Sequence, residues 1–237
     1  MSGQSERART AVEVGFSFVV STAAAAIFYR LRFIPFINAN LHAIVAAVFL
    51  ILPQLMLRGR GDIDRYGFTT HPRALGLTIS AVGIFGVLPL YTGGFVVYQR
   101  LLCAYLPRLV DGSCVRILHP VWRLPPDFAL LAAAQLIVVA LPEELFFRGY
   151  LQGRLEDAWP PTWRLFGTRV GGAWLATAVL FGLGHFLVTF EPQMLTRFFP
   201  GLVFGWMYSR TRSILAGTLF HASCNLLMEV LRVSFFV

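Results

Sequence analysis

Along this chain, long apolar runs alternate with short polar gaps. A membrane-spanning helix needs about 20 mostly apolar residues, and runs of that kind cover roughly 11–29, 33–57, 74–98, 127–155, 171–190, the stretch 198–208 with its flanks, and 213–237. This pattern predicts about seven spanning helices, within a range of about six to eight, the sixth being the shortest. Pro107, Asp111, Gly112 and Pro120 interrupt the segment 101–122, which predicts a loop carrying an interfacial helix. The expected fold class is therefore all-α, a polytopic transmembrane helical bundle forming a single membrane domain over 1–237.

Composition supports this reading. With 237 residues, 57% hydrophobic and only 14% charged, the chain has more apolar surface than one water-soluble domain can bury. The net charge of +8 comes from 20 basic residues, every one an arginine, against 12 acids. Nucleic-acid binding would need these arginines in a patch, but they gather in the gaps between apolar runs, as topology signals do. No nucleic-acid partner is expected.

Arg58, Arg60, Arg65 and Arg73 fill the second gap, and Arg154, Arg164 and Arg169 the fourth. Together with the N-terminus, Arg210 and Arg212, they mark one side as cytoplasmic by the positive-inside rule, although Arg100, Arg108, Arg116 and Arg123 on the opposite side oppose it. The expected location is the inner (cytoplasmic) membrane, multi-pass, with the N-terminus in the cytoplasm. The first apolar run lacks a signal-peptidase site and reads as a spanning helix. Trp159 and Trp163, beside Pro160 and Pro161, read as interfacial anchors at a turn. Gly201 and Gly205 have the spacing that lets membrane helices approach closely. Cys103, Cys114 and Cys224 are too few for a zinc ribbon, and Cys103 and Cys114 are expected to be unrelated buried thiols unless their loop faces an oxidising compartment.

Several polar residues lie deep in apolar sequence. Glu143, Glu144 and Arg148 interrupt the fourth run, His185 lies in the fifth, and His221 and Asn225 lie four residues apart, on one helix face, in the last. Ionisable groups at such depth are expensive, so they pair, line a wet cavity or do chemistry. At about 1.5 Å per residue, Glu143 sits roughly 18 Å, His185 roughly 21 Å and His221 roughly 12 Å from one membrane face, so they can meet on one level. Arg148, one turn after Glu144, can pair with a carboxylate there. Glu13, Asn38, Asn40 and His42 read as packing or interfacial groups. A carboxylate, two histidines and an asparagine can support water activation, in which a glutamate deprotonates a water positioned by one histidine. The other histidine and the asparagine amide then stabilise the oxyanion. A glutamate and two histidines could instead hold zinc, but the His-Glu-x-x-His helix signature is absent, and no cofactor is expected.

Glu-Glu-x-x-x-Arg (Glu143, Glu144, Arg148), Phe-x-x-x-His (Phe181, His185) and His-x-x-x-Asn (His221, Asn225), in that order on successive apolar runs, resemble the CPBP family of CAAX proteases and bacteriocin-processing enzymes. The resemblance covers about 127–230, so 126–230 is expected to form the catalytic core and 1–125 to supply accessory helices. It implies a glutamic intramembrane protease in which Glu143 and His185 activate water and His221 and Asn225 form the oxyanion site. It also implies that Glu144 and Arg148 have supporting roles and that the chemical step needs no metal. The expected partners are the bilayer and a membrane-anchored or lipidated protein whose C-terminal tail is cut, CAAX-like or sorting-tail. The chain's length and its arginine-only basic content fit a bacterial member. Two alternatives remain open: a non-proteolytic bacteriocin-immunity or scaffold protein, and a proton-coupled transporter.

Overall fold

The computed structural model describes residues 3–58, 63–67, 69–106 and 114–236. Arg60, Pro107, Arg108, Asp111 and Gly112 lie outside the described residues. The long apolar runs form α1 (Gln4–Phe33), α2 (Pro35–Leu57), α3 (Arg73–Tyr105), α5 (Phe128–Ala158) and α6 (Gly172–Thr189). The short α4 (Cys114–Leu118), together with α7 (Phe198–Thr211) and α8 (Leu215–Phe235), completes the described α-helices, and Ile63–Tyr66 and Pro192–Arg197 form short 3-10 helices.

All seven expected runs are helical, but among the described residues only 5 helices are long and apolar enough to cross a membrane by themselves. The other two fall short for different reasons. Helix α7 has only 14 residues, whereas α8 has 21 but carries His221, Asn225, Glu229 and Arg232. Large apolar side chains such as Phe16, Ile51, Phe85, Leu90, Leu130 and Ile137 point outward. An exposed belt of this kind would be a liability in water but suits contact with lipid. The core between the helices is largely aromatic, built on Phe49, Phe146, Phe147, Phe181, Phe204 and Phe220.

Helix α5 is not a regular α-helix. It is π-wound over Gln135–Ala140, α-helical over Leu141–Glu144, and π-wound again over Leu145–Gln152. Pro142 has no N–H to give, and in a regular turn its ring would meet the carbonyl of Val138. The wider π turn relieves that conflict and re-aims the residues that follow. Helices α6 and α7 lie close together, as Gly201 and Gly205 foretell. A Cβ on Gly205 would come 2.8 Å from both Gln152 Oε1 and Trp174 Cδ1.

The two ends of the bundle are distinct. At the end holding the start of α1, Arg7 donates to the Ala158 carbonyl (3.1 Å), Arg65 pairs with Asp157 (2.7 Å), Arg154 pairs with Glu13 (3.1 Å) and Arg212 pairs with Glu156. Glu13, expected to be a packing or interfacial group, is thus the partner of Arg154. Tyr66 donates to Asp157, and burial first, then that hydrogen bond, holds its hydroxyl pKa above the usual value. Between α5 and α6, Trp163–Leu165 and Thr168–Val170 form a hairpin, β1 and β2, which the sequence reading had marked only as a turn. Its connection, Phe166 and Gly167, has positive φ at both residues, as a tight hairpin turn requires.

At the opposite end, Arg30 lies 5.3 Å over the Phe190 ring and joins the end of α1 to the end of α6. Arg116 donates to the Phe236 carbonyl (3.1 Å), and Phe95 packs edge-on to Phe235 (5.4 Å). Cys103 and Cys114, expected to be unrelated thiols, are disulfide-bonded here with Cα atoms 5.5 Å apart, and Cys224 is free. The reason is local: α3 extends to Tyr105 and α4 begins at Cys114, so the helix ends bring the two residues together.

Candidate active site

Glu143 and Glu144 occupy the single α-turn between the two π-wound parts of α5. Being adjacent, they face different neighbours. Glu144 points inward and is completely buried. Its Oε1 lies 3.1 Å from Arg148 Nη1 and 3.0 Å from His221 Nδ1. The approach of α8 is tight, because a Cβ on Gly217 would lie 2.6 Å from Glu144 Oε2. Arg148 is held on three sides: by Glu144, by the Phe181 ring 4.2 Å and the Phe204 ring 5.1 Å from its guanidinium carbon, and by the Gly201 carbonyl at 3.4 Å. A buried guanidinium in this setting gains from the ring faces as well as from the carboxylate.

Glu143 faces the other way, toward both histidines. Its Oε2 lies 3.9 Å from His185 Nε2 and 3.8 Å from His221 Nε2 and has no hydrogen-bond partner among the described residues. The partners of the rings' other nitrogens fix their tautomers. His185 Nδ1 lies 2.8 Å from the Phe181 carbonyl, which can only accept, so Nδ1 carries hydrogen and Nε2 of the neutral ring presents a lone pair. His221 Nδ1 faces the Glu144 carboxylate in the same way. The His221 ring stacks on Phe204 (centroids 4.6 Å apart, planes 17°), and Phe181 lies edge-on to both imidazoles. Both rings are therefore fixed by a hydrogen bond at one nitrogen and by aromatic contacts.

Glu143 and His185 line a cavity of about 390 Å³ between α1, α2, α5 and α6. Side-chain exposures of 30% for His185, 15% for Glu143 and 6% for His221 order them from the opening inward. Val45, Phe49, Val138 and Phe147 make apolar walls, and Tyr29, Arg32, Asn38 and His42 also line the cavity. Asn38 and His42 were expected to be packing or interfacial groups; one helical turn apart on α2, both line this cavity.

Of the residues singled out from sequence, Glu143, Glu144, Arg148, His185 and His221 come together. Asn225 lies one turn beyond His221, with its amide nitrogen 2.9 Å from Gln135 Oε1. Sequence reading missed Gln135, Phe204 and Gly217. Gln135 carried a signal, a polar amide in an otherwise apolar run, whereas nothing distinguishes Phe204 and Gly217 from other residues of apolar helices, and their roles follow only from what they touch. Among the described residues no group of three or more His, Cys, Asp or Glu side chains is placed to hold a metal ion.

The bundle and its centre define a helical membrane protein with a carboxylate and two histidines inside the apolar layer. Residues 125–227 match the family model described as type II CAAX prenyl endopeptidase Rce1-like, which supports a CAAX-protease relationship for that segment. The match supports, in general terms, a CAAX-type membrane protease, a peptide hydrolase. No curated protein and no solved structure matches the chain.

Proposed function

We propose that this chain is a glutamic intramembrane endopeptidase that cuts a peptide bond near the C-terminal, membrane-associated tail of a protein substrate. One observation carries the reading: Glu143 Oε2, without a hydrogen-bond partner among the described residues, faces two ring nitrogens at distances too long for direct hydrogen bonds. A gap near 3.9 Å lets one water donate a hydrogen to Glu143 Oε2 and the other to His185 Nε2.

In the proposed step, Glu143 takes a proton from that water as its oxygen bonds to the scissile carbonyl carbon. The carbonyl π electrons move to oxygen and form the tetrahedral oxyanion. A second proton on the His221 ring, which Glu144 is placed to balance, makes Nε2 a donor to that oxyanion. Asn225 uses one amide hydrogen on Gln135 and has another to offer. The proton held by Glu143 passes to the leaving nitrogen as the C–N bond breaks, which restores the carboxylate. Glu144 holds and orients His221, and Arg148 offsets the charge of Glu144. The mechanism uses no metal or other cofactor.

The apolar cavity walls suit a hydrophobic tail entering from the membrane, and the family's prenyl-endopeptidase description agrees with a membrane-held substrate. The test is to co-express tail-bearing candidate proteins with wild type or Glu143→Gln and weigh their C-termini. Shortened products with wild type and intact ones with Glu143→Gln are expected. Equal shortening by the variant refutes the mechanism.

A further inference from the structure

The side of the membrane from which the centre is served follows from combining two features that lie far apart in sequence. The cavity residues come from the last turns of α1 (Tyr29, Arg32), the first half of α2 (Asn38, His42) and the last turns of α6 (His185, Thr189). All belong to the end of the bundle where Arg30 meets Phe190. In an antiparallel bundle with short connections, that end also holds the last turns of α3 and α8 and the start of α5. The Cys103–Cys114 disulfide lies there, and α4, which carries Cys114, is tied to the end of α8 by Arg116 on the Phe236 carbonyl.

Charge alone does not choose the side, because arginines stand at both ends of the bundle. The disulfide does. Disulfides persist in oxidising compartments and are rare where glutathione and thioredoxin keep thiols reduced. The opposite end is closed by ion pairs joining Arg154 to Glu13, Arg65 to Asp157 and Arg212 to Glu156, together with the β1–β2 hairpin.

We propose that the Glu143–His185 cleft opens on the oxidising, extracytoplasmic side of the membrane and receives peptide segments that have already been carried across. At its mouth Arg32 is exposed, with its guanidinium carbon 4.2 Å over the Tyr29 ring, and has no acidic partner among the described residues. Together with the Asn38 amide, it offers hydrogen bonds to the backbone of an incoming chain beside walls that take apolar side chains. The substrate class rests on the hydrolase reading above; the sidedness does not.

The test uses the full-length protein in cells with Cys224→Ser, leaving the disulfide in place. Asn38→Cys at the mouth and Arg210→Cys at the far end are each introduced and treated with a membrane-impermeant maleimide. Labelling of Asn38→Cys on intact cells, with labelling of Arg210→Cys only after permeabilisation, is the expected result. Cys103 and Cys114 should react with a permeant maleimide only after reduction. The reverse labelling, labelling of both positions on intact cells, labelling of neither before permeabilisation, or free Cys103 and Cys114 thiols would each overturn the proposal. The same labelling on a Glu143→Gln background keeps the two readings apart. Expected labelling without any cleavage by the Glu143 form refutes the hydrolase alone, and cleavage with reversed labelling refutes the sidedness alone.

Discussion

His221 Nδ1 lies 3.0 Å from Glu144 Oε1, and this contact turns the opposite ring nitrogen, Nε2, toward Glu143 Oε2 at 3.8 Å. Glu144 therefore acts on the candidate centre through a histidine on another helix as well as through its own helix. A buried carboxylate that fixes an imidazole in this way sets both its tautomer and its orientation.

Glu144→Gln tests that link. The amide carbonyl can still accept from His221 Nδ1, but the charge that balances a proton on the ring is gone, and the amide can also flip. Cleavage should fall about 10–100-fold or more, as when a partner fixing a catalytic or ligating histidine is removed. The protein should stay folded and inserted, which size-exclusion profiles in detergent will show. Unchanged kcat in a folded Glu144→Gln protein would remove Glu144 from the mechanism.

Arg148 makes the second prediction. Both it and Glu144 are almost fully buried, each with a side-chain exposure of 1%. Arg148→Ala strands a carboxylate in an apolar core, which costs about 3–5 kcal/mol. Arg148→Lys keeps a charge but lacks the planar group that lies over Phe181 and Phe204 and reaches the Gly201 carbonyl. Thermal unfolding in detergent should rank wild type above Lys and Lys above Ala. A Lys variant as stable as wild type would mean that the flat guanidinium adds nothing.

How much of this was legible in sequence depends on what each residue does locally. Glu143, Glu144, Arg148, His185 and His221 stand out because each is costly in an apolar run, and the helical rise puts Glu143, His185 and His221 near one level; the structure brings all five together. The separate jobs of the two glutamates were not legible. They depend on the turn between two π-wound segments, and a proline in a helix announces a disturbance without giving its direction. Phe204 supports His221 and Arg148 by its ring faces, and one phenylalanine in a phenylalanine-rich chain carries no sign of that. Asn38 and His42 read as packing or interfacial groups because the wall they line is made by α1 and α6 as well. The disulfide depended on where α3 ends, and the broken apolar pattern near 101–122 leaves helix boundaries uncertain by several residues.

Gly217 makes a third prediction that runs against helix propensity. In an isolated helix Gly→Ala is worth about 0.5–1 kcal/mol of stability. Here a Cβ would meet Glu144 Oε2 at 2.6 Å, so either the carboxylate turns away from His221 or α8 moves off α5. Overpacking of this kind costs about 1–3 kcal/mol. Gly217→Ala should lower both the melting temperature and cleavage, whereas Gly172→Ala, where a Cβ meets nothing within 4 Å, should leave both near wild type. Equal behaviour of the two variants would show that the close approach at Gly217 has no consequence.

Asn225 and Gln135 supply the last test, because their hydrogen bond admits two roles that substitution separates. If the bond only joins α8 to α5, removing either partner leaves the other half-buried and unpaired, and the two alanine variants should lose similar stability, about 1–3 kcal/mol, with similar effects on cleavage. If Asn225 also donates its second amide hydrogen to the oxyanion, Asn225→Ala loses a transition-state interaction that Gln135→Ala keeps. Removal of one oxyanion donor costs about 10²–10³ in kcat. The expected outcome is therefore matched melting temperatures but a much larger fall in kcat for Asn225→Ala, with KM little changed in both. Parallel losses of kcat in the two variants would confine Asn225 to helix packing and leave His221 as the one donor this mechanism assigns to the oxyanion.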